Sequence, residues 1–207
     1  MDSPLINILL FAGAIYLFKI WLDDLKSQKT GSPNPKALPG AYASSIKWVI
    51  IAAIGAVGIT LVETAGEIQL GVSDEQSTIP AYFILAMIGA GIIEEVVFRG
   101  YLVIENKGKI FLVTSIIGFS LLFSLGHYQY YTTEAAEGAG IMGYTFQFEA
   151  KSLWTLLLLF INSLWFYSVR FLPFNPTRSL APCFAAHIAS NLSVFVIKAI
   201  QGHVTWF

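Results

Sequence analysis

The sequence predicts an all-α protein, a polytopic membrane bundle of about six transmembrane helices. Hydrophobic residues make up 56% of the 207 residues and charged residues only 12%, whereas soluble domains contain about 25% charged residues. The mean hydropathy is +0.67, and the apolar residues form runs of about 20, the length of a helix that crosses a bilayer. No run alternates like a barrel strand, so helices are the structure expected in lipid.

Six apolar runs are the predicted spans, and short polar connections separate them. Their approximate bounds are 4–22, 46–62, 79–104, 110–125, 153–171 and 179–197. We expect one membrane domain over residues 1–207, in which 1–78 holds two spans and a linker rich in Pro, Gly, Ser and Lys. The formal net charge of −1 argues against a nucleic-acid partner, because such proteins carry basic patches.

The basic residues predict how the bundle is oriented, because cytoplasmic connections carry an excess of Lys and Arg. Only Lys151 and Lys198 lie on one side, whereas the connections at 23–45, 105–109 and 172–178 lie on the other. The residues flanking these three connections are Lys19, Lys26, Lys29, Lys36, Lys47, Lys107, Lys109, Arg170 and Arg178. We therefore expect both termini outside. The short loops are typical of a prokaryotic plasma-membrane protein.

The segment AMIGAGIIEEVVFRGYLVI, residues 86–104, contains three ionisable groups within a predicted span. Such groups are costly at membrane depth and by default indicate a functional site. Residues four apart share a helix face, so Glu95 and Arg99 are predicted to form an ion pair with the glutamate first. Glu94 points about 100° away, which leaves it free to face a cavity.

Two further spans contain polar residues that bear on this site. His127 ends the fourth span in FSLGH, and His187 and Asn191 share a face of the sixth span in HIASN. At 1.5 Å per residue, Glu94 and His187 lie at similar depths, whereas His127 lies roughly 12 Å further from the cytoplasm. We expect tilt or a break at Gly126 to bring His127 in, and a cavity that opens towards the cytoplasm.

EEVVFR, FSLGH and HIASN resemble the EExxxR, FxxxH and HxxxN motifs of the CAAX prenyl protease and bacteriocin-processing family, also called the abortive-infection group. Type II CAAX prenyl endopeptidases are its eukaryotic relatives. The three motifs occur in family order, and the resemblance covers about residues 80–195. This range is therefore the expected catalytic core.

The resemblance implies an intramembrane endopeptidase that acts on a membrane-associated peptide or protein. It assigns Glu94 as the general base that activates water, with His127 helping to hold that water. His187 and Asn191 face the developing oxyanion. Glu95 and Arg99 are the remaining charged members of the first motif. These roles agree with what peptide hydrolysis requires, a deprotonated base beside water and preorganised donors.

Two cofactor interpretations remain, a metal-free site and a zinc site. Glu94, His127 and His187 match the His₂Glu ligand set of several catalytic zinc sites. The chain lacks the HExxH motif of many zinc proteases. The metal-free form is favoured because it does not need His127 to reach a metal from its different depth.

Other functions use similar residues. A proton-linked transporter also has intramembrane carboxylates and histidines, but it usually shows paired repeats that this sequence lacks. A non-catalytic immunity or scaffold protein on the same fold is a third candidate, although it would not need Glu94. Cys183 lies four residues before His187 and could form a nucleophile pair, but its small neighbours favour packing.

Overall fold

The computed structural model describes residues 3–134 and 143–206, and within them six helical segments form the bundle. They are α1 (Pro4–Lys29), α2 (Ile46–Leu70), α3 (Phe83–Glu94) with its π-helical continuation (Glu95–Leu102), α4 (Lys109–Gly126), α5 (Ala150–Phe171) and α6 (Ala181–Ile200). Among the described residues, every one of these except α3 is long and apolar enough to cross a membrane. The predicted all-α membrane bundle is confirmed, and the chain is an integral membrane protein.

The third predicted span is helical, but its backbone changes character midway. It is α-helical up to Glu94 and π-helical from Glu95 to Leu102, so neither part alone reaches the length of a span. Hydropathy does not detect this change, because both parts belong to one apolar run. The helices α1 and α2 also continue beyond their predicted ends, since hydropathy marks the apolar part of a helix and not its last turn.

Indole side chains join α2 to α5. Trp48 donates its Nε1–H to the carbonyl of Val169 at 2.9 Å, and Trp165 donates to the carbonyl of Ala52 at 2.9 Å. The Trp165 ring lies against Gly55, where an added Cβ would come within 2.2 Å of Cζ2. Small residues that admit close packing are typical of helix contacts in membranes.

The linker between α1 and α2 folds back on the bundle. Both carboxylate oxygens of Asp24 accept hydrogen bonds from it, one from the Asn34 amide at 2.7 Å and one from the Leu38 N–H at 2.8 Å. The Leu180 N–H, just before α6, donates to the carbonyl of Gly40 at 3.0 Å. These bonds hold the linker against the start of α6.

Four short strands, which the sequence did not indicate, lie outside the spans. β1 (Ile79–Pro80) pairs in parallel with β4 (Val204–Thr205), and this pair ties the described C-terminal end to the entrance of α3. β2 (Thr132–Glu134) pairs antiparallel with β3 (Tyr144–Phe146). Each is two or three residues long, too short to give a period-two pattern in the sequence.

The predicted orientation can be tested by cysteine labelling in intact cells. Ser32 lies in the lysine-rich linker and Asp74 follows the far end of α2, and both positions are exposed. Because basic residues favour the cytoplasmic side, an impermeant maleimide should modify an Asp74→Cys variant and spare a Ser32→Cys variant. The parent chain is the control, since its single cysteine, Cys183, is fully buried. Labelling of the Ser32→Cys variant alone would contradict this orientation and indicate the opposite one.

Candidate active site

The first motif lies where α3 becomes π-helical. Glu94 ends α3, and the π-helix covers Glu95–Leu102; such wide turns are frequent at functional sites. Helix α6 approaches closely at this level because Gly91 has no side chain. A Cβ added there would lie 3.2 Å from Cγ1 of Ile188 and 3.6 Å from Cδ2 of His187. The contact brings the imidazole beside the two glutamates.

The predicted ion pair is present and fully buried. Arg99 Nη1 lies 3.1 Å from Glu95 Oε1, and both side chains have no solvent exposure. Arg99 Nη2 donates to the hydroxyl of Ser163 at 2.6 Å and to its carbonyl at 3.3 Å. Aromatic rings within 6 Å of the guanidinium stabilise it further as cation–π partners. These rings belong to Phe98, Phe123, Phe166 and Tyr167.

Glu95 also holds the imidazole of His187. His187 Nδ1 lies 2.7 Å from the same Glu95 oxygen that receives Arg99. An ionised carboxylate only accepts hydrogen bonds, so Nδ1 carries the proton of this bond. The Phe166 ring stacks on the imidazole at 4.7 Å between centroids. The ring is therefore fixed, with Nε2 facing Glu94 Oε2 at 3.8 Å.

The two glutamates are in different environments, as the helical geometry predicted. The Glu95 side chain has no exposure and accepts from two donors, whereas that of Glu94 is 30% exposed. Among the described residues, Oε2 of Glu94 and Oε2 of Glu95 are both buried without a hydrogen-bond partner, so the partial exposure of the Glu94 side chain is what distinguishes the two. Buried polar atoms in proteins are almost always paired with protein or with water. Glu94 is thus the carboxylate that is left to interact with another molecule.

His127 reaches the site because α4 ends just before it. The helix stops at Gly126, one of the two alternatives that the depth comparison left open, and His127 follows with non-helical torsion angles. Its Nδ1 donates to the carbonyl of Phe123 at 2.8 Å, which leaves Nε2 free of this bond. The Phe123 ring contacts both imidazoles, with centroids 4.8 Å from His127 and 5.9 Å from His187.

Asn191 lies one turn beyond His187 and links α6 to α3. Its side-chain amide donates one hydrogen to the carbonyl of Met87 at 2.7 Å, and an amide has a second hydrogen to donate. The neighbouring Ser190 hydroxyl accepts from the Asn162 amide at 2.7 Å and lies 3.2 Å from the Thr60 hydroxyl. These hydroxyl and amide contacts hold α2, α5 and α6 around the site.

A cavity of about 390 Å³ connects His127, His187 and Asn191. Its lining continues to the end of the bundle where α2 finishes and α5 begins. The lining residues at that end include Glu63, Glu67, Glu75, Gln76, Ser77, Lys151 and Lys198. Glu94 is not among the described residues that line the cavity, although its side chain is 30% exposed.

The cavity was expected to open at the end of the bundle that carries the lysine-rich connections. Its position among the helices shows that this expectation is wrong. Within the described ranges, its lining includes no residue of the connections at 30–45, 103–108 or 172–180. The polar residues that continue from His187 lie instead on the C-terminal halves of α2 and α6. The opening therefore faces the segment at residues 63–78, which the lysine distribution assigns to the outside.

The site does not fit the zinc ligand set Glu94, His127 and His187. In the part of the chain that the structure describes, no three His, Cys, Asp or Glu side chains are grouped to bind a metal ion. Zinc needs its ligands at about 2.0–2.2 Å. The Nδ1 atoms of His187 and His127 are bonded to Glu95 and to the Phe123 carbonyl, so Nε2 is the nitrogen of each imidazole that is left for another ligand.

Several supporting residues were not predicted from the sequence. Ser163 and Phe166 hold Arg99 and His187, but a hydroxyl and a phenyl group in an apolar helix carry no signal of such a role. Cys183 was considered as a nucleophile. It is fully buried, and its Sγ lies 3.3 Å from the carbonyl of Phe166. This contact supports a packing role for the thiol.

The buried Glu95–Arg99 ion pair leads to a prediction about the stability of the protein. Glu95→Gln leaves Arg99 buried without its counter-charge, and breaking a buried pair costs about 3–5 kcal/mol. We expect a clearly lower melting temperature in detergent. Replacing both Glu95 and Arg99 by Leu should recover much of the loss. Glu94→Gln is the matched control and should melt close to the parent, so equal melting temperatures for the two single glutamine variants would contradict this role of Glu95.

Comparison with known proteins identifies a family. A family model described as type II CAAX prenyl endopeptidase, Rce1-like, matches residues 76–193, which is more than half of the chain. The matched range contains Glu94, His127, His187 and Asn191, together with the ion pair. No curated protein and no solved structure matches the chain.

Proposed function

The chain belongs to the type II CAAX prenyl endopeptidase Rce1-like family, and we propose that it is an intramembrane endopeptidase in which Glu94 activates the attacking water. Its substrate is a membrane-associated protein or peptide. The family suggests the class of reaction, the hydrolysis of a peptide bond. The motif resemblance implies the roles given to individual residues, and the site geometry supports the role of Glu94.

One observation carries the proposal, the gap between Glu94 and His187. Glu94 Oε2 and His187 Nε2 are 3.8 Å apart, too far for a direct hydrogen bond, and the proposal places the attacking water between them. The hydrogen bonding of His187 and of Glu94 supports a water in this position. His187 is held from its other nitrogen by Glu95, and Glu94 Oε2 has no other partner among the described residues.

In the proposed mechanism, Glu94 takes a proton from this water as the water oxygen attacks the carbonyl carbon of the scissile bond. The carbonyl π electrons move onto its oxygen, which becomes the oxyanion of a tetrahedral intermediate. The intermediate collapses by breaking the C–N bond, and the proton held by Glu94 passes to the leaving amine. The carboxylate is then restored, and the products are a carboxylate and an amine.

Asn191 is the proposed stabiliser of the oxyanion, whereas His187 Nε2, which carries no proton while Nδ1 donates to Glu95, accepts a hydrogen bond from the attacking water. Asn191 has an amide hydrogen beyond the one that it gives to Met87, and both side chains line the cavity. Fixed donors directed at developing charge need no reorganisation during the reaction, and this makes them effective. His127 remains the predicted second contact for the water. The bond of His127 to the Phe123 carbonyl uses Nδ1, so Nε2 is left for that role.

The base assignment is tested with Glu94→Gln, which removes the base and changes little else. Purified protein in liposomes should cleave a membrane-tethered fluorogenic peptide, and this variant should lose the activity at least a hundredfold, the lower end of the contribution of a general base. Glu149→Gln, an exposed glutamate at the start of α5, is the matched control and should retain it.

Two outcomes of the same assay would contradict the proposal. An active Glu94→Gln protein would overturn the assignment of the base. Loss of parental activity in EDTA, with recovery on added zinc, would replace the carboxylate mechanism by a metal one. Retained activity in EDTA together with an inactive Glu94→Gln variant is the expected result.

A further inference from the structure

Asn162 presents an unpartnered hydrogen-bond acceptor to the cavity, and the proposed hydrolysis gives it no role. The residue lies in the middle of α5, is 7% exposed and belongs to the cavity lining. Its amide nitrogen donates to the Ser190 hydroxyl at 2.7 Å, whereas its Oδ1 is buried and has no partner among the described residues. A buried carbonyl oxygen is expected to accept a hydrogen bond, and here the donor has to come from a molecule in the cavity.

A chain of hydroxyl groups fixes which amide atom of Asn162 is left for such a molecule. The Thr60 hydroxyl donates its only hydrogen to the carbonyl of Ala56 at 3.2 Å, so the Ser190 hydroxyl, 3.2 Å away, donates to the Thr60 oxygen. The Ser190 oxygen is then the acceptor for Asn162, which turns its NH₂ group towards it. The free atom of the amide is therefore the oxygen, and the group that suits it is a hydrogen-bond donor.

Helix α5 presents a second unpartnered polar group on the same face. Thr155 is almost two full helical turns before Asn162 and is 5% exposed, and its hydroxyl has no partner in the described part of the chain. Both residues line the cavity. The seven residues between these positions rise roughly 10.5 Å along the helix, too far for one water molecule to bridge. An extended peptide, at about 3.3 Å per residue, covers this distance in about three residues.

Asn162 also lies beside the residue proposed to bind the oxyanion. Its partner Ser190 directly precedes Asn191 on α6, and the Asn191 amide has a hydrogen left to donate. The cavity therefore offers one acceptor and one donor at the same level of the bundle. A peptide main chain carries the complementary groups, because each residue other than proline has one N–H and one C=O.

We propose that Asn162 binds the main chain of the substrate, with Oδ1 accepting one backbone N–H close to the bond that is cleaved. This inference rests on the proposed function, because it takes the cavity as the substrate site. The contact holds the peptide so that its scissile carbonyl reaches Asn191 and the water on Glu94. Because the donor is a backbone group, the side chain at this peptide position can vary, but proline, which has no N–H, is excluded there.

The contact is tested by the binding of N-methylated peptides, since a methyl group on one backbone nitrogen removes one donor. The receptor is full-length Glu94→Gln protein in detergent, so cleavage is not needed. The probes are hexapeptide amides of alternating Ala and Leu with an N-terminal fluorophore, either unmethylated or methylated at one residue in turn. We expect methylation at one position to weaken binding by about tenfold, the effect of leaving one buried acceptor unpaired.

Methylation of the same nitrogen should have little effect on binding to a receptor that also carries Asn162→Leu, because the acceptor is already absent. Such non-additivity is the sign of a direct contact. Asn162→Gln keeps the amide but moves its oxygen by one methylene group, so it should reduce the penalty as well. Asn106→Leu is the matched control and should keep the full penalty, since Asn106 is exposed and, in the described structure, does not line the cavity.

A Glu94→Gln receptor that shows no position-specific penalty would overturn the proposal and indicate that Asn162 binds only water. The full penalty in a folded Asn162→Leu receptor would also overturn it, and Asn162→Gln decides if melting shows that the leucine variant is not folded. An unmethylated probe that does not bind would contradict the cavity as a peptide site, and this inference with it. The expected binding pattern, in a protein whose parent never cleaves a membrane-tethered peptide, would contradict the endopeptidase and leave the Asn162 result unchanged.

Discussion

A buried arginine that needs a counter-charge is the constraint on which the rest of the structure depends. Arg99 is fully buried, and an isolated charge in such a place would cost several kcal/mol. Its neutralisation involves Glu95 of the π-helix and Ser163 of α5, and Glu95 also accepts from His187 of α6. The need to satisfy one cation thus fixes how three helical segments pack and which way the imidazole faces.

Helix α6 extends this arrangement from the core to the cavity mouth. Its polar face passes from His187 through Asn191 to Lys198, and the cavity follows it towards the end of the bundle that is remote from the lysine-rich linkers. Two physical constraints therefore meet in this protein. We expect the distribution of basic residues to set the orientation in the membrane, and the polar face of α6 runs along the cavity.

The sequence was sufficient for the features that follow from local spacing. The spans are apolar runs of membrane length, and the Glu95–Arg99 pair follows from an i, i+4 spacing. Comparing depths indicated either tilt or a break at Gly126, and the helix ends there. It was insufficient where distant segments meet. The bond from His187 to Glu95 joins residues 92 positions apart, and no local pattern predicts it. The same is true of Ser163 beside Arg99 and of the cavity direction.

The central claim is that His187 donates a hydrogen bond from Nδ1 to Glu95. The tautomer of His187 tests this claim most directly, because the bond requires a proton on Nδ1. The chain has three histidines, so replacing His127 and His203 by Gln leaves the signals of His187 alone. Nitrogen NMR of this protein with ¹⁵N-labelled histidine should show a protonated Nδ1, and Glu95→Gln should weaken that preference. A bare Nδ1 with the proton on Nε2 would contradict the account, since His187 would then not donate to Glu95.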